Sequence, residues 1–131
     1  LGRLYKFHDF PHLIRLFRLV NTCLRTPDDY RLIAYAYGLD CARQNIRYAE
    51  LTFSIETNMR HSGLPWQVIL EGLNVGRQQA YLETGGELRW IFDIVRDHPH
   101  TQQQVLEIAL ASRDRGKLVG GAAQWRVLWL K

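Results

Sequence analysis

This sequence has no long apolar run. Nothing in it approaches the ~18 consecutive apolar residues of a membrane-spanning helix. Its N-terminus shows no signal peptide or transit segment. Cysteine is scarce: Cys23 and Cys41 are the two. Both fall in segments that read as helical and neither sits in a CxxC pair, which fits a reduced, cytoplasmic compartment. No Ser-His-Asp spacing and no Gly-rich phosphate loop occur, so those nucleophilic and phosphate-cradling chemistries find no support. Internal repeats and low-complexity tracts are also missing. Clustered positive charge is absent too. The 17 basic and 13 acidic residues leave a net charge of +4. The arginines Arg15, Arg31, Arg47, Arg60, Arg77 and Arg96 are spread among acids and apolar side chains. A nucleic-acid footprint would be a patch or stripe, so neither nucleic acid nor membrane is expected as a partner.

What is present is a globular pattern. The hydrophobic fraction of 47% over 131 residues suits one modest core. Leu13, Ile14, Phe17, Val20 and Leu24 recur at helical spacing and predict a helix over 10–24, with Pro11 in its first turn. Thr26-Pro27-Asp28-Asp29 is a helix start, with an N-cap, a proline and negative charge at the positive dipole end. The helix it opens, over 27–45, is expected to bury Leu32, Tyr35, Ala36, Leu39 and Ala42. Asn45 suits its left-handed end. Tyr48 to Ser54 then reads as a strand, within 47–54. Residues 55–64 are polar and read as a loop. Trp66, Ile69, Leu70, Leu73, Ala80 and Tyr81 mark a helix over 65–84, stopped by Gly85-Gly86. Leu88 to Val95 reads as a buried strand, within 87–96. Thr101 and Gln104 form a capping box for a helix over 101–115. Leu118-Val119-Gly120 is a candidate third strand. Strands alternating with helices point to an α/β fold with a parallel sheet, open or closed.

The order of Thr26-Pro27-Asp28-Asp29, the segment Tyr48-Ala49-Glu50-Leu51-Thr52-Phe53-Ser54 and the strand Trp90 to Arg96 resembles the adenosine deaminase family. These are zinc-dependent purine deaminases built on a (β/α)8 barrel. The resemblance runs from about Phe10 to Gly120 and covers the stretch between the family's first and fourth barrel strands. It implies a partial barrel, since a complete one needs roughly 200 residues or more. It implies a parent hydrolase that replaces the 6-amino group of a purine nucleoside with zinc-activated water and releases ammonia. Adenine deaminase and aminodeoxyfutalosine deaminase share the scaffold and remain open, as does a small non-enzymatic α/β binding domain. By position, Leu13, Ile14 and Phe17 match the family's lid helix and Arg96 matches the arginine ending its third strand. The strand-one H-x-H, the H-A-G-E tetrad and the G-D-E segment have no counterpart. No catalytic residue and no metal ligand is therefore expected in this chain, which alone is expected to be inactive and poorly soluble. Thr52 and Ile55 stand where members commonly show Arg and Pro. Residues 121–131 depart from the pattern. Leu1 in place of Met fits a truncated frame, and a frameshift or truncation after Gly120 is the expectation, with 1–120 the barrel segment.

Several polar residues need weighing. His98-Pro99-His100 follows a strand, where an H-x-H metal pair would sit, but two histidines do not fill a zinc site and a surface loop is the reading favoured. His8 and His12 are four apart with Pro11 between them, which argues against a shared metal. Glu50 and Asp93 interrupt apolar strands. Each is expected to pair with an arginine or to face a polar lumen, as structure rather than acid–base catalysis. Trp125 and Trp129 read as misplaced hydrophobes that favour aggregation.

Overall fold

The computed structural model describes residue 6, residues 8–95 and residues 99–114. Its elements run α1 (Phe10–Cys23), α2 (Pro27–Arg43), β1 (Tyr48–Phe53), α3 (Ile55–Ser62), α4 (Trp66–Thr84), β2 (Glu87–Phe92), a 3-10 turn (Pro99–Thr101) and α5 (Gln102–Asp114). The strands form a two-stranded parallel sheet with Tyr48 opposite Glu87 and Phe53 opposite Phe92. Parallel neighbours need a crossover, and α3 and α4 supply it. The expected α/β class, the parallel pairing and the four expected helices are present. Arg96, His98, the candidate strand at 118–120 and the tail at 121–131 lie outside the described residues.

Local chemistry explains the helix ends. Asp9 caps α1 by accepting from the His12 amide at 2.7 Å. Thr26 and Asp29 form a reciprocal capping box on α2. Bonds from the Arg25 amide, the Thr26 hydroxyl and the Thr26 amide hold the Asp29 carboxyl below the usual carboxylate range. Asn45 takes φ 59 just past the end of α2, the left-handed position its side chain tolerates.

Two expectations are corrected. Residues 55–64 are not a loop: Ile55–Ser62 is a helix. Its polar residues hide a buried face made by Ile55, Thr57 and Asn58. Gly63 ends it at φ 73, a conformation that favours glycine. The second correction concerns α2. Its buried face is Tyr30, Ala34, Gly38 and Cys41, while Leu32 remains 55% exposed. The reason is the close approach of α2 to α4. A Cβ added at Gly76 would lie 2.1 Å from the Arg31 carbonyl oxygen, and one at Gly38 would lie 2.4 Å from the Ala80 Cβ. Small residues occupy the contact because nothing larger fits, so hydrophobicity alone points to the wrong face.

The core lies between this helix pair and one face of the sheet. Tyr30, Ala34, Ile69, Leu73, Trp90 and Phe92 are buried there, with Leu51 and Phe53 packed against them. Val105, Ile108 and Ala109 of α5 extend the same cluster.

Candidate functional site

Alternation along the strands sorts their side chains onto two faces. Leu51, Phe53, Trp90 and Phe92 meet the core. Phe53 lies edge-on to Tyr30 at 6.2 Å and tilted to Trp90 at 6.4 Å. The opposite face carries Tyr48, Glu50 and Thr52 on β1 and Glu87, Arg89 and Ile91 on β2. Ser54 and Asp93 continue that face one residue beyond the C-terminal ends of β1 and β2. In α/β sheets the carboxyl ends of parallel strands are where ligands bind.

This polar face is internally bonded. The Tyr48 hydroxyl donates to Glu50 Oε1 at 2.7 Å, and that bond holds the Tyr48 phenol above its ordinary value. Arg89 pairs with Glu87. Ser54 Oγ donates to Asp93 Oδ2 at 3.0 Å. Of the two alternatives, an arginine partner is not what these carboxylates show: Glu50 bonds to a tyrosine hydroxyl and Asp93 to a serine hydroxyl. Glu50 is exposed on the face turned from the helices, so burial imposes no ion pair on it.

The polar ends are fixed from below. Tyr30 Oη donates to Asn58 Oδ1 at 3.1 Å. Asn58 Nδ2 donates to the Ser54 carbonyl oxygen at 3.0 Å, and the Asn58 backbone amide reaches the same oxygen at 3.1 Å. Ser62 Oγ donates to the Asn58 carbonyl at 2.7 Å. Burial pushes the Tyr30 phenol up. A buried, satisfied network of this kind holds Ser54 in one place. Glu56, in the first turn of α3, meets Arg60 at 3.5 Å through Oε1, while its buried Oε2 has no partner. The polar character of residues 55–64, which resembles a loop, hides this network in the sequence. The signal was Asn58 four residues after Ser54, one helical turn on.

The expected lid residues sit on α1, which packs against α3. Leu13 is 36% and Phe17 48% exposed, and Ile14 is half-buried. An apolar face is therefore available beside the helix that follows the C-terminal end of β1. His8 and His12 stack at 5.4 Å, and His12 Nδ1 accepts from the His8 amide at 3.4 Å. His100 is exposed in the 3-10 turn. Among the described residues, no group of three or more His, Cys, Asp or Glu is placed to hold a metal. No helix among them is long and apolar enough to cross a membrane.

Comparison with known proteins bears on this geometry. The adenosine deaminase family model matches residues 2–121. An aminodeoxyfutalosine deaminase of Streptomyces avermitilis is 37% identical over 94 residues, which are 72% of this chain and 26% of that protein. Among solved structures, an adenine deaminase from Arthrobacter aurescens superposes with a TM-score of 0.75 at 20% identity, over 85% of this chain and 34% of its own. An amidohydrolase from Burkhoderia ambifaria with bound zinc gives a TM-score of 0.64 at 26% identity, over 86% of this chain and 30% of its own. The chain thus spans about a third or less of each.

Proposed function

This chain belongs to the adenosine deaminase family, and we propose that the protein carrying it hydrolyses the 6-amino group of a purine nucleoside and releases ammonia. The observation that supports this reading most is the polar pair Ser54–Asp93 at the C-terminal ends of two parallel strands, beside an exposed apolar helix face. In this reading β1 and β2 are neighbouring strands of a (β/α)8 barrel. Their polar face lines its lumen, and their C-terminal ends form one sector of its mouth. An apolar groove lined by Ile33, Tyr37, Leu51, Phe53 and Trp90 lies between α2 and β1. A further strand laid along β1 would cover it.

Zinc is the cofactor the family implies, and one structural neighbour holds it. The described residues do not fit a zinc site, because no three potential ligands converge. Its ligands, and the groups that act on water, belong to other parts of the protein. This segment's own contribution is to bind and enclose. Leu13, Ile14 and Phe17 would cover the flat apolar purine, and the strand ends would meet its polar groups. A cytoplasmic setting and a freely diffusing nucleoside substrate complete the proposal.

The aminodeoxyfutalosine deaminase relative favours a second substrate within the same reaction class. The full-length protein should therefore be assayed by loss of purine absorbance with adenosine, deoxyadenosine, adenine and aminodeoxyfutalosine. Turnover of none of them would sink the reading. The chain by itself is expected to turn over none and to hold no stoichiometric zinc. One tightly bound zinc per chain, lost in His98→Ala, would overturn that expectation.

A further inference from the structure

Helix α3 is held in place by directional bonds as much as by apolar packing. It is eight residues long, and a helix that short is not stable alone in water. Of its buried residues Ile55, Thr57 and Asn58, only Ile55 is apolar. Its N-cap residue Ser54 makes no side-chain cap, and the Ser54 hydroxyl bonds to Asp93 instead. Asn58 ties the helix down. Its Oδ1 accepts from Tyr30 of α2, and its Nδ2 donates to the Ser54 carbonyl at the end of β1. One buried amide thus joins α2, the strand end and α3.

Helix α1 depends on α3 in turn. Among the described elements, α3 gives α1 its most extensive contact. Within α1 only Asn21 is buried, and its Nδ2 donates to the Phe17 carbonyl of the same helix. Leu24, just past the end of α1, joins the core and tethers that end. The rest of the helix takes its position from α3.

We propose that Tyr30 and Asn58 are positioning residues for ligand binding, which set through α3 where the apolar face of α1 stands beside the strand ends. The inference rests on the purine-deaminase reading above and deepens it, since that reading has Leu13, Ile14 and Phe17 cover the purine. Tyr30 is 0% and Asn58 3% exposed, so neither touches the ligand. They act on binding and not on the chemical step, whose groups belong to other parts of the protein. Nucleoside and free base share the covered ring, so both feel the effect.

The test uses the full-length protein and whichever purines the wild type turns over. Tyr30→Phe keeps the ring and removes the bond to Asn58. It should raise KM about fivefold for each purine and leave kcat within about twofold. Asn58→Ala frees α3 from both α2 and the strand end, and should raise KM further. Adding Tyr30→Phe to Asn58→Ala should change KM no more, because the two residues form one network. Val105→Ala is the control for a merely structural role, since Val105 is buried on α5. Its melting temperature should fall at least as far as that of Tyr30→Phe, while its KM stays within about twofold of the wild type at a temperature where all variants are folded. Amide hydrogen exchange reads the same device without substrate. In Tyr30→Phe the amides of α1 should exchange about fivefold faster, and those of α5 should change less. An unchanged KM in Tyr30→Phe, a loss in kcat instead, or a KM that follows melting temperature through Val105→Ala would overturn the proposal and leave the deamination reading intact. If Asn58→Ala does not fold, Ser62→Ala replaces it by removing the donor to the Asn58 carbonyl. An unchanged KM in both Ser62→Ala and Tyr30→Phe would overturn the proposal. Turnover of no purine by the wild type would instead sink the deamination reading, and this inference with it.

Discussion

The two faces of the β1–β2 sheet are built from the same strands and are made for different things. The face toward α2 and α4 is Leu51, Phe53, Trp90 and Phe92, packed on Tyr30, Leu73 and Ile69. Within it, Trp90 Nε1 donates to Asn74 Oδ1 at 3.2 Å. The other face is Tyr48, Glu50, Thr52, Glu87 and Arg89, with hydroxyl and ion-pair contacts running along each strand. Burial of apolar area stabilises the first and is non-directional. On the second, the exposed Tyr48–Glu50 contact contributes little to stability, because such contacts in water gain little. Alternate residues of one strand thus carry apolar packing on one side and polar contacts on the other. Substitutions should separate the two.

The largest effect is expected from Phe92→Ala. Phe92 is 1% exposed and its removal leaves a cavity between sheet and helices. A loss of about 3–5 kcal/mol is expected, read as a lower urea midpoint or as loss of cooperative unfolding. A change below about 1 kcal/mol would mean that this face is not the core. Gly76→Ala comes next. Its methyl group would meet the Arg31 carbonyl oxygen, a backbone atom that cannot swing away. Separating α2 from α4 should cost about 1–3 kcal/mol. An unchanged melting temperature would show that the helices have room to spare. Tyr30→Phe keeps the packed ring and deletes only the donor to Asn58. About 1 kcal/mol should be lost. A larger loss would place the buried network, and not apolar packing, at the centre of this region's stability. Glu50→Gln tests the opposite face. Glu50 is exposed and its partner is the Tyr48 hydroxyl. Stability should stay within about 0.5 kcal/mol. A drop comparable to that of Phe92→Ala would erase the distinction between the faces.

Legibility in the sequence follows the same division. The start of α2 was readable at Thr26-Pro27-Asp28-Asp29 because capping is a contact between residues three apart. The strands were readable because β-rich apolar segments bounded by turn residues differ visibly from helical stripes. Residues 55–62 were not readable as a helix, since their buried residues include Thr57 and Asn58, which look like loop residues. Leu13, Ile14 and Phe17, matched to a lid by resemblance, lie on one helix, and the structure adds that this helix rests on α3. The pairing of Ser54 with Asp93 spans 39 positions, and no local pattern announces it.

The sequence by itself determined the order of helices and strands, the helix ends and the family, because each rests on neighbouring residues or on a matched pattern. Tertiary structure alone decided which face of α2 is buried. There, Gly38, Gly72 and Gly76 let two helices approach more closely than any hydrophobic stripe would suggest. It also decided the pairing of Ser54 with Asp93. A hydrogen bond between residues far apart in the chain exists only once β1 and β2 lie parallel and in register, with Phe53 opposite Phe92.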